Sequence, residues 1–211
     1  MLNDTQYKVR LAKFFLIGGF LMISLSSPSS TKLFPLVRVV KTLYGDHPSL
    51  PSISVYFQGC DAFPKCVGCH NPETWDFDES FKVDFSHLLN TVVQKLELLL
   101  TKHSVVSLAL LGGEPLSERN RESAYLIAKY VKENYEERVK VLVYTWRTQA
   151  DLLNLNIPID YFDEFVLGKY MKEYHTGSFP ASANQMYITK DELFSILEEL
   201  KKGEEKVCQN C

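Results

Sequence analysis

Hydrophobic and polar positions change period several times along the chain, and each change marks an element. Ile53 to Phe57 is a continuous apolar, β-branched and aromatic run, the pattern of a buried strand. From Asp84 onward, Leu88, Leu89, Val92, Val93, Leu96, Leu99 and Leu100 recur at helical spacing, with Asp84 or Ser86 available as N-cap. Val105 to Leu111 is again continuous and bounded by Gly-Gly, which suits a parallel strand buried on both faces. The pattern then predicts a helix from Ser117 to Tyr135, a strand from Val139 to Tyr144 ending at Thr145, and a short helix around Thr148 to Leu155. Asp191 to Lys202 reads as a final amphipathic helix, with Leu193, Phe194, Leu197 and Leu200 on one face. Upstream, Leu33 to Val40 suggests the first strand, interrupted at Pro35 and so placed at an edge. Strand alternating with helix three times implies right-handed βαβ units and an α/β fold built on a parallel sheet.

Length and composition narrow this picture. A chain of 211 residues, 45% hydrophobic, supports one sizeable core and is short for two domains. A net charge of -3, with no run of Lys or Arg, leaves no basic footprint for nucleic acid, so the partner should be a protein or a small molecule.

The candidate chemistry lies directly after the Ile53–Phe57 strand. Three of the five cysteines, Cys60, Cys66 and Cys69, fall within ten residues on a loop rich in Gly, Pro and Asp. In barrel-like α/β folds, active-site loops collect at the C-terminal ends of strands. Three thiolates so close together want a soft metal, and three rather than four leave one position of an iron–sulfur cubane uncovered by protein. The alternative is a zinc knuckle that borrows a fourth ligand from His70 or from Cys208 and Cys211. A disulfide staple fits poorly with an odd cysteine count.

The run Phe57-Gln-Gly-Cys60, followed by Cys66-Val-Gly-Cys69-His-Asn-Pro-Glu-Thr-Trp75, resembles the cluster loop of the radical S-adenosylmethionine enzymes that activate glycyl radical enzymes, and most of all the type that activates anaerobic ribonucleotide reductase. There the loop is typically Q-G-C-x3-C-x-G-C-x-N-P-x-T-W. The resemblance implies that Cys60, Cys66 and Cys69 hold a [4Fe-4S] cluster whose fourth iron binds S-adenosylmethionine. Five residues, Asp61 to Lys65, separate the first two cysteines here instead of three, a lengthening that costs little in closure entropy.

Gly112-Gly-Glu-Pro115 is the second signal. Glycines at a strand end let a ligand approach the backbone closely, and placed between a strand and a helix the segment resembles the family's G-G-E-P element. The resemblance implies that Gly112, Gly113 and Glu114 receive the methionine amino group of the cofactor. On this reading a side chain at Gly113, as in Gly113→Val, should block cofactor cleavage and leave cluster content intact. Thr145 at the next strand end, Lys169 in Phe165-Val-Leu-Gly-Lys-Tyr170, and Asn184 and Gln185 in Ser182-Ala-Asn-Gln185 are further candidate cofactor-side or partner-side residues. The family's D-G-P-G-x-R-like segment is absent or remodelled at Gly45-Asp-His-Pro-Ser49, where His47 reads as a loop residue rather than a ligand.

The implied architecture is an incomplete barrel of mainly parallel strands and outer helices, open at one side so that a protein substrate can bring its backbone to the cofactor. The implied reaction is one-electron reduction of the cluster by reduced flavodoxin or ferredoxin, cleavage of the cofactor to methionine and a 5'-deoxyadenosyl radical, and hydrogen abstraction from a glycine Cα. Residues 33–203 would form this domain, with an N-terminal extension over 1–32 and a C-terminal Cys-x-x-Cys tail over 204–211. The extension has a signal-peptide layout: Lys8, Arg10 and Lys13 precede the apolar Phe14 to Ile23, followed by small residues. Phe14 to Ile23 falls short of the ~20 apolar residues a membrane span needs, and an oxygen-labile cluster belongs in a reducing cytoplasm. An accessory segment or an early start codon, and a buried helix or strand, are the competing explanations.

Overall fold

The computed structural model describes residues 13–17, 20–24, 33–155 and 158–208. Two short strands, β1 (Lys13–Ile17) and β2 (Phe20–Ser24), pair antiparallel as their own two-stranded sheet. Most of the apolar N-terminal run is therefore strand, in two segments paired antiparallel. Among the described residues no helix is long and apolar enough to cross a membrane.

The main sheet has six strands in the order β3-β4-β5-β6-β7-β8, formed by Val37–Leu43, Ser52–Phe57, Val106–Gly112, Val139–Thr145, Glu164–Leu167 and Met186–Thr189. The four central strands are parallel, and the two outer ones run antiparallel to their neighbours. Because β3 and β8 do not pair with each other, the barrel is incomplete. The expected first strand is at the edge, but it begins two residues after Pro35, whose carbonyl accepts from Val83 N.

One face of the sheet carries the core. Ile53, Val55 and Phe57 of β4, Val106, Leu108 and Leu110 of β5, and Val139, Val141 and Val143 of β6 pack with the apolar stripes of the helices. Helix α1 (Phe85–Leu100) contributes all seven apolar positions read from its periodicity, each worth ~1.5–3 kcal/mol on burial. It starts where Asp84 accepts from Ser86 N and His87 N, relieving two orphan donors of the first turn. Helix α2 (Arg121–Tyr135) begins four residues later than its hydrophobic pattern predicts. Asn120 occupies the cap position, yet its side chain bonds Leu36 N and Gln58 O instead of the helix, tying the sheet edge to the cysteine loop. Helix α3 (Gln149–Leu153) has a reciprocal capping box between Thr148 and Asp151. Helix α4 (Lys190–Cys208) runs past the predicted Lys202 and ends on Cys208.

The opposite face of the sheet mixes polar side chains with the buried Ala109, Leu142 and Val166, and the β3–β4 loop packs on it. Tyr56 donates to Asp46 Oδ2, and Tyr144 donates to the Asp46 carbonyl. His47, 6% exposed, accepts from Ser49 N and Leu50 N through Nδ1, so its Nε2 must carry the proton it shares with Glu164 at 2.9 Å. His47 is thus a structural plug between this loop and Glu164, in keeping with its reading as a loop residue rather than a ligand.

Since the β1–β2 hairpin makes a sheet of its own, deletion of residues 1–30 should leave iron uptake and cofactor binding of the remainder unchanged. Iron analysis and thermal melting of the shortened chain check this; a folded truncation unable to take up iron would show that the hairpin supports the catalytic domain.

Candidate metal and cofactor site

The cysteine loop leaves the C-terminal end of β4 and is closed at its neck by backbone pairs, Gly59 N to the Thr74 carbonyl at 2.8 Å and Cys60 N to the Trp75 carbonyl at 3.0 Å. Cys60 to Trp75 is thereby an Ω-like loop whose ends meet. Gln58, 2% exposed, fastens the neck by donating to the carbonyls of Glu73 and Asp76. The next strand end is stitched to the same neck, because Gly113 N donates to the Phe57 carbonyl and Glu114 N to the Gly59 carbonyl.

The lengthened arm between the first two cysteines is held along its length. Asp61 accepts from Trp146 Nε1 and Arg147 Nη2, Ala62 is buried, the carbonyls of Phe63 and Pro64 accept from Lys169 Nζ at 2.9 and 3.1 Å, and Lys65 Nζ donates to the Cys60 carbonyl. The two additional residues are accommodated as an anchored arm rather than a free loop.

Cys60, Cys66 and Cys69 are free thiols lining one cavity of about 440 Å³, together with Gly112, Gly113, Thr145 and the aromatic walls Trp75, Trp146 and Tyr170. Seven of the ten residues singled out in the sequence therefore meet there: the three cysteines, Gly112, Gly113, Thr145 and Gln185. The other three do not line it. Glu114 is buried behind the turn, where it accepts from Leu116 N, Thr145 Oγ1 and Trp146 N. Lys169 is committed to the arm, and Asn184 donates to the Lys169 carbonyl, which makes it a support for that lysine. Gln185 does line the cavity and donates to the Gly168 carbonyl.

Gly112 has φ of +105°, and a Cβ there would come within 2.7 Å of the Phe57 backbone. Gly113 needs no special φ, but its Cβ would overlap the Gly59 carbonyl oxygen and lie 2.8 Å from that of Thr74. The Gly-Gly pair is required first by the close packing of the cysteine loop, which sequence alone did not reveal. Asn120 and Arg147, which help position this loop, were also invisible to local pattern because their partners lie far away in the chain.

Burial pushes the Cys60 thiol up to about 11, and burial with the neighbouring Cys69 raises Cys66. Such thiols become thiolates at neutral pH only when a cation compensates the charge, as bound iron does. Among the described residues no three His, Cys, Asp or Glu side chains converge as around a single ion. A cubane asks for something else, one thiolate on each of three irons. Three thiols spread around one cavity beside a glycine wall that any side chain would fill fit a cluster with a ligand on its remaining iron. His70, the alternative donor for a zinc knuckle, lines the same cavity and packs against Tyr170, the rings tilted by 47° with centroids 4.4 Å apart. Cys208 ends α4, and Cys211 lies outside the described residues.

Comparison with known proteins agrees with this chemistry. Residues 51–188 match the family described as "4Fe-4S single cluster domain". The chain is also 30% identical over 124 residues to the "Anaerobic ribonucleoside-triphosphate reductase-activating protein" of Enterobacteria phage T4, an alignment covering 59% of this chain and 74% of that protein. The three-cysteine loop at a parallel strand end, its glycine wall and these similarities place the chain in the radical S-adenosylmethionine family of [4Fe-4S] enzymes, with the cluster and S-adenosylmethionine as its cofactors.

Proposed function

We propose that this enzyme activates a glycyl radical enzyme, the anaerobic ribonucleotide reductase, by forming a radical on a backbone glycine of that partner. The reading is supported above all by the similarity to the phage T4 activating protein. It is supported also by the unclosed sheet, since edges β3 and β8 leave an opening through which a segment of another protein can enter. The bound cluster and S-adenosylmethionine supply the radical that removes a hydrogen atom from the glycine Cα.

The chain's own residues hold and shield. Cys60, Cys66 and Cys69 would carry three irons, and the half-buried Gly112–Gly113 wall of the cavity would lie along the amino acid part of S-adenosylmethionine. Thr145, whose hydroxyl is held by Glu114, would face the cofactor, while Trp75, Trp146 and Tyr170 would keep water from it. Lys169 and Asn184 would act at one remove, through the arm. Reduced flavodoxin or ferredoxin would deliver the electron.

The test is electron paramagnetic resonance of the anaerobic reductase after incubation with iron-loaded enzyme, reductant and S-adenosylmethionine. A glycyl radical doublet is expected. Cofactor cleavage without that signal would overturn the partner assignment and turn attention to another protein or a small molecule.

A further inference from the structure

Arg147, 8% exposed, sits just beyond β6 between two carboxylates that come from the two halves of the site. Its Nη2 donates to Asp61 Oδ2 at 2.6 Å, and Asp61 directly follows Cys60. Its Nη1 lies 3.2 Å from Oε1 of Glu114, which directly follows Gly113; this is an ion pair without hydrogen-bond alignment. The other oxygen of Asp61 accepts from Trp146 Nε1 at 2.8 Å, and the guanidinium lies over the Trp146 ring, 4.9 Å from its centroid.

Arg147 and Glu114 are buried and Asp61 is exposed, and a charge network of this kind gives little stability over apolar residues of the same volume, so its value must be sought in the geometry it imposes. Here it joins the loop that carries the thiols to the turn that carries the glycine wall. The arm from Asp61 to Lys65 is two residues longer than its relatives' pattern, and every added residue gives Cys60 and Cys66 more freedom relative to each other. An anchor on the first residue of the arm removes that freedom next to Cys60. Arginine suits this task because its planar fork offers separate nitrogens to two acids, which a lysine ammonium cannot reach together.

We propose that Asp61, Arg147 and Glu114 form a clamp that fixes the Cys60 side of the cluster loop against the Gly112–Gly113 wall, making Asp61 and Arg147 positioning residues for S-adenosylmethionine. The clamp rests on the family's cofactors and not on the identity of the protein substrate, so a failed partner assignment leaves it untouched.

The experiment uses the full chain carrying Asp61→Asn, Arg147→Lys, or both. Amide hydrogen exchange of residues 61–65 is followed in the iron-free protein, and S-adenosylmethionine affinity is measured on anaerobic iron-loaded protein. Each single variant is expected to speed exchange in the arm and to weaken cofactor binding about tenfold, the scale of losing an outer-shell partner. The double variant should be no weaker than the worse single, because both break one unit. If Arg147→Lys does not fold, Trp146→Phe replaces it, removing the other hydrogen bond to Asp61. A clamp that only stabilised the fold would lower the melting temperature alone. Unchanged arm exchange, unchanged affinity in Asp61→Asn, or losses that multiply in the double variant would each overturn the proposal.

Discussion

Replacing Cys60, Cys66 or Cys69 with alanine should abolish the [4Fe-4S] cluster and reduce S-adenosylmethionine cleavage by more than the roughly 10–100-fold typical of an outer-shell loss. The fold should survive, because the loop neck is closed by the backbone of Gly59, Cys60, Thr74 and Trp75 and by the Gln58 side chain rather than by sulfur. The Cys208→Ala/Cys211→Ala double variant should keep full iron content, since three thiols already share one cavity without it. Iron and sulfide analysis with absorption spectra after anaerobic reconstitution reads all four proteins. A cluster retained in Cys60→Ala and lost in the tail variant would reverse the ligand assignment.

Gly113→Val should damage the cluster and not only the cofactor site. A side chain at this position meets the carbonyls of Gly59 and Thr74, which are backbone and cannot swing aside, and these two residues form the neck of the cysteine loop. Overpacking of this kind costs ~1–3 kcal/mol. For a chain of this size that lowers the melting temperature by roughly 2–12 °C, at 2–4 °C per kcal/mol. Iron content and cofactor cleavage should fall together, with Gly113→Ala smaller in the same direction. The sequence pattern led to a different expectation, an intact cluster with blocked cleavage, because it shows Gly-Gly at a strand end but not what packs against it. A Gly113→Val protein with full iron, a native melting temperature and no cleavage would restore the sequence-based expectation.

The central elements were legible because their signals are local. Asp84 caps α1 and the stripe from Leu88 to Leu100 is buried, as the helical spacing requires. The runs Ile53–Phe57 and Val105–Leu111 lie within one residue of β4 and β5 and are parallel neighbours, and the cysteine loop and glycine turn leave the same ends of these strands. What stayed hidden depends on partners distant in sequence. The edge strand β8 follows Ser182-Ala-Asn-Gln185, a segment that reads as a polar motif, and it is recognised only by its register against β7. His47 looks like a turn residue until Glu164 closes on it from 117 positions away. Glu114 and Lys169 lie beside the cavity and serve the turn and the arm, because Arg147, Trp146 and the Phe63–Pro64 carbonyls take up their polar groups.

The most direct test of the central claim is the formation of 5'-deoxyadenosine by the anaerobic, iron-loaded chain given dithionite and S-adenosylmethionine, with product measured by chromatography against the Cys66→Ala variant. The cavity that gathers Cys60, Cys66, Cys69, Gly112 and Gly113 predicts turnover in the wild-type protein and none in the variant. A fully loaded wild-type protein that makes no 5'-deoxyadenosine, or a variant that makes as much as the wild type, would contradict it.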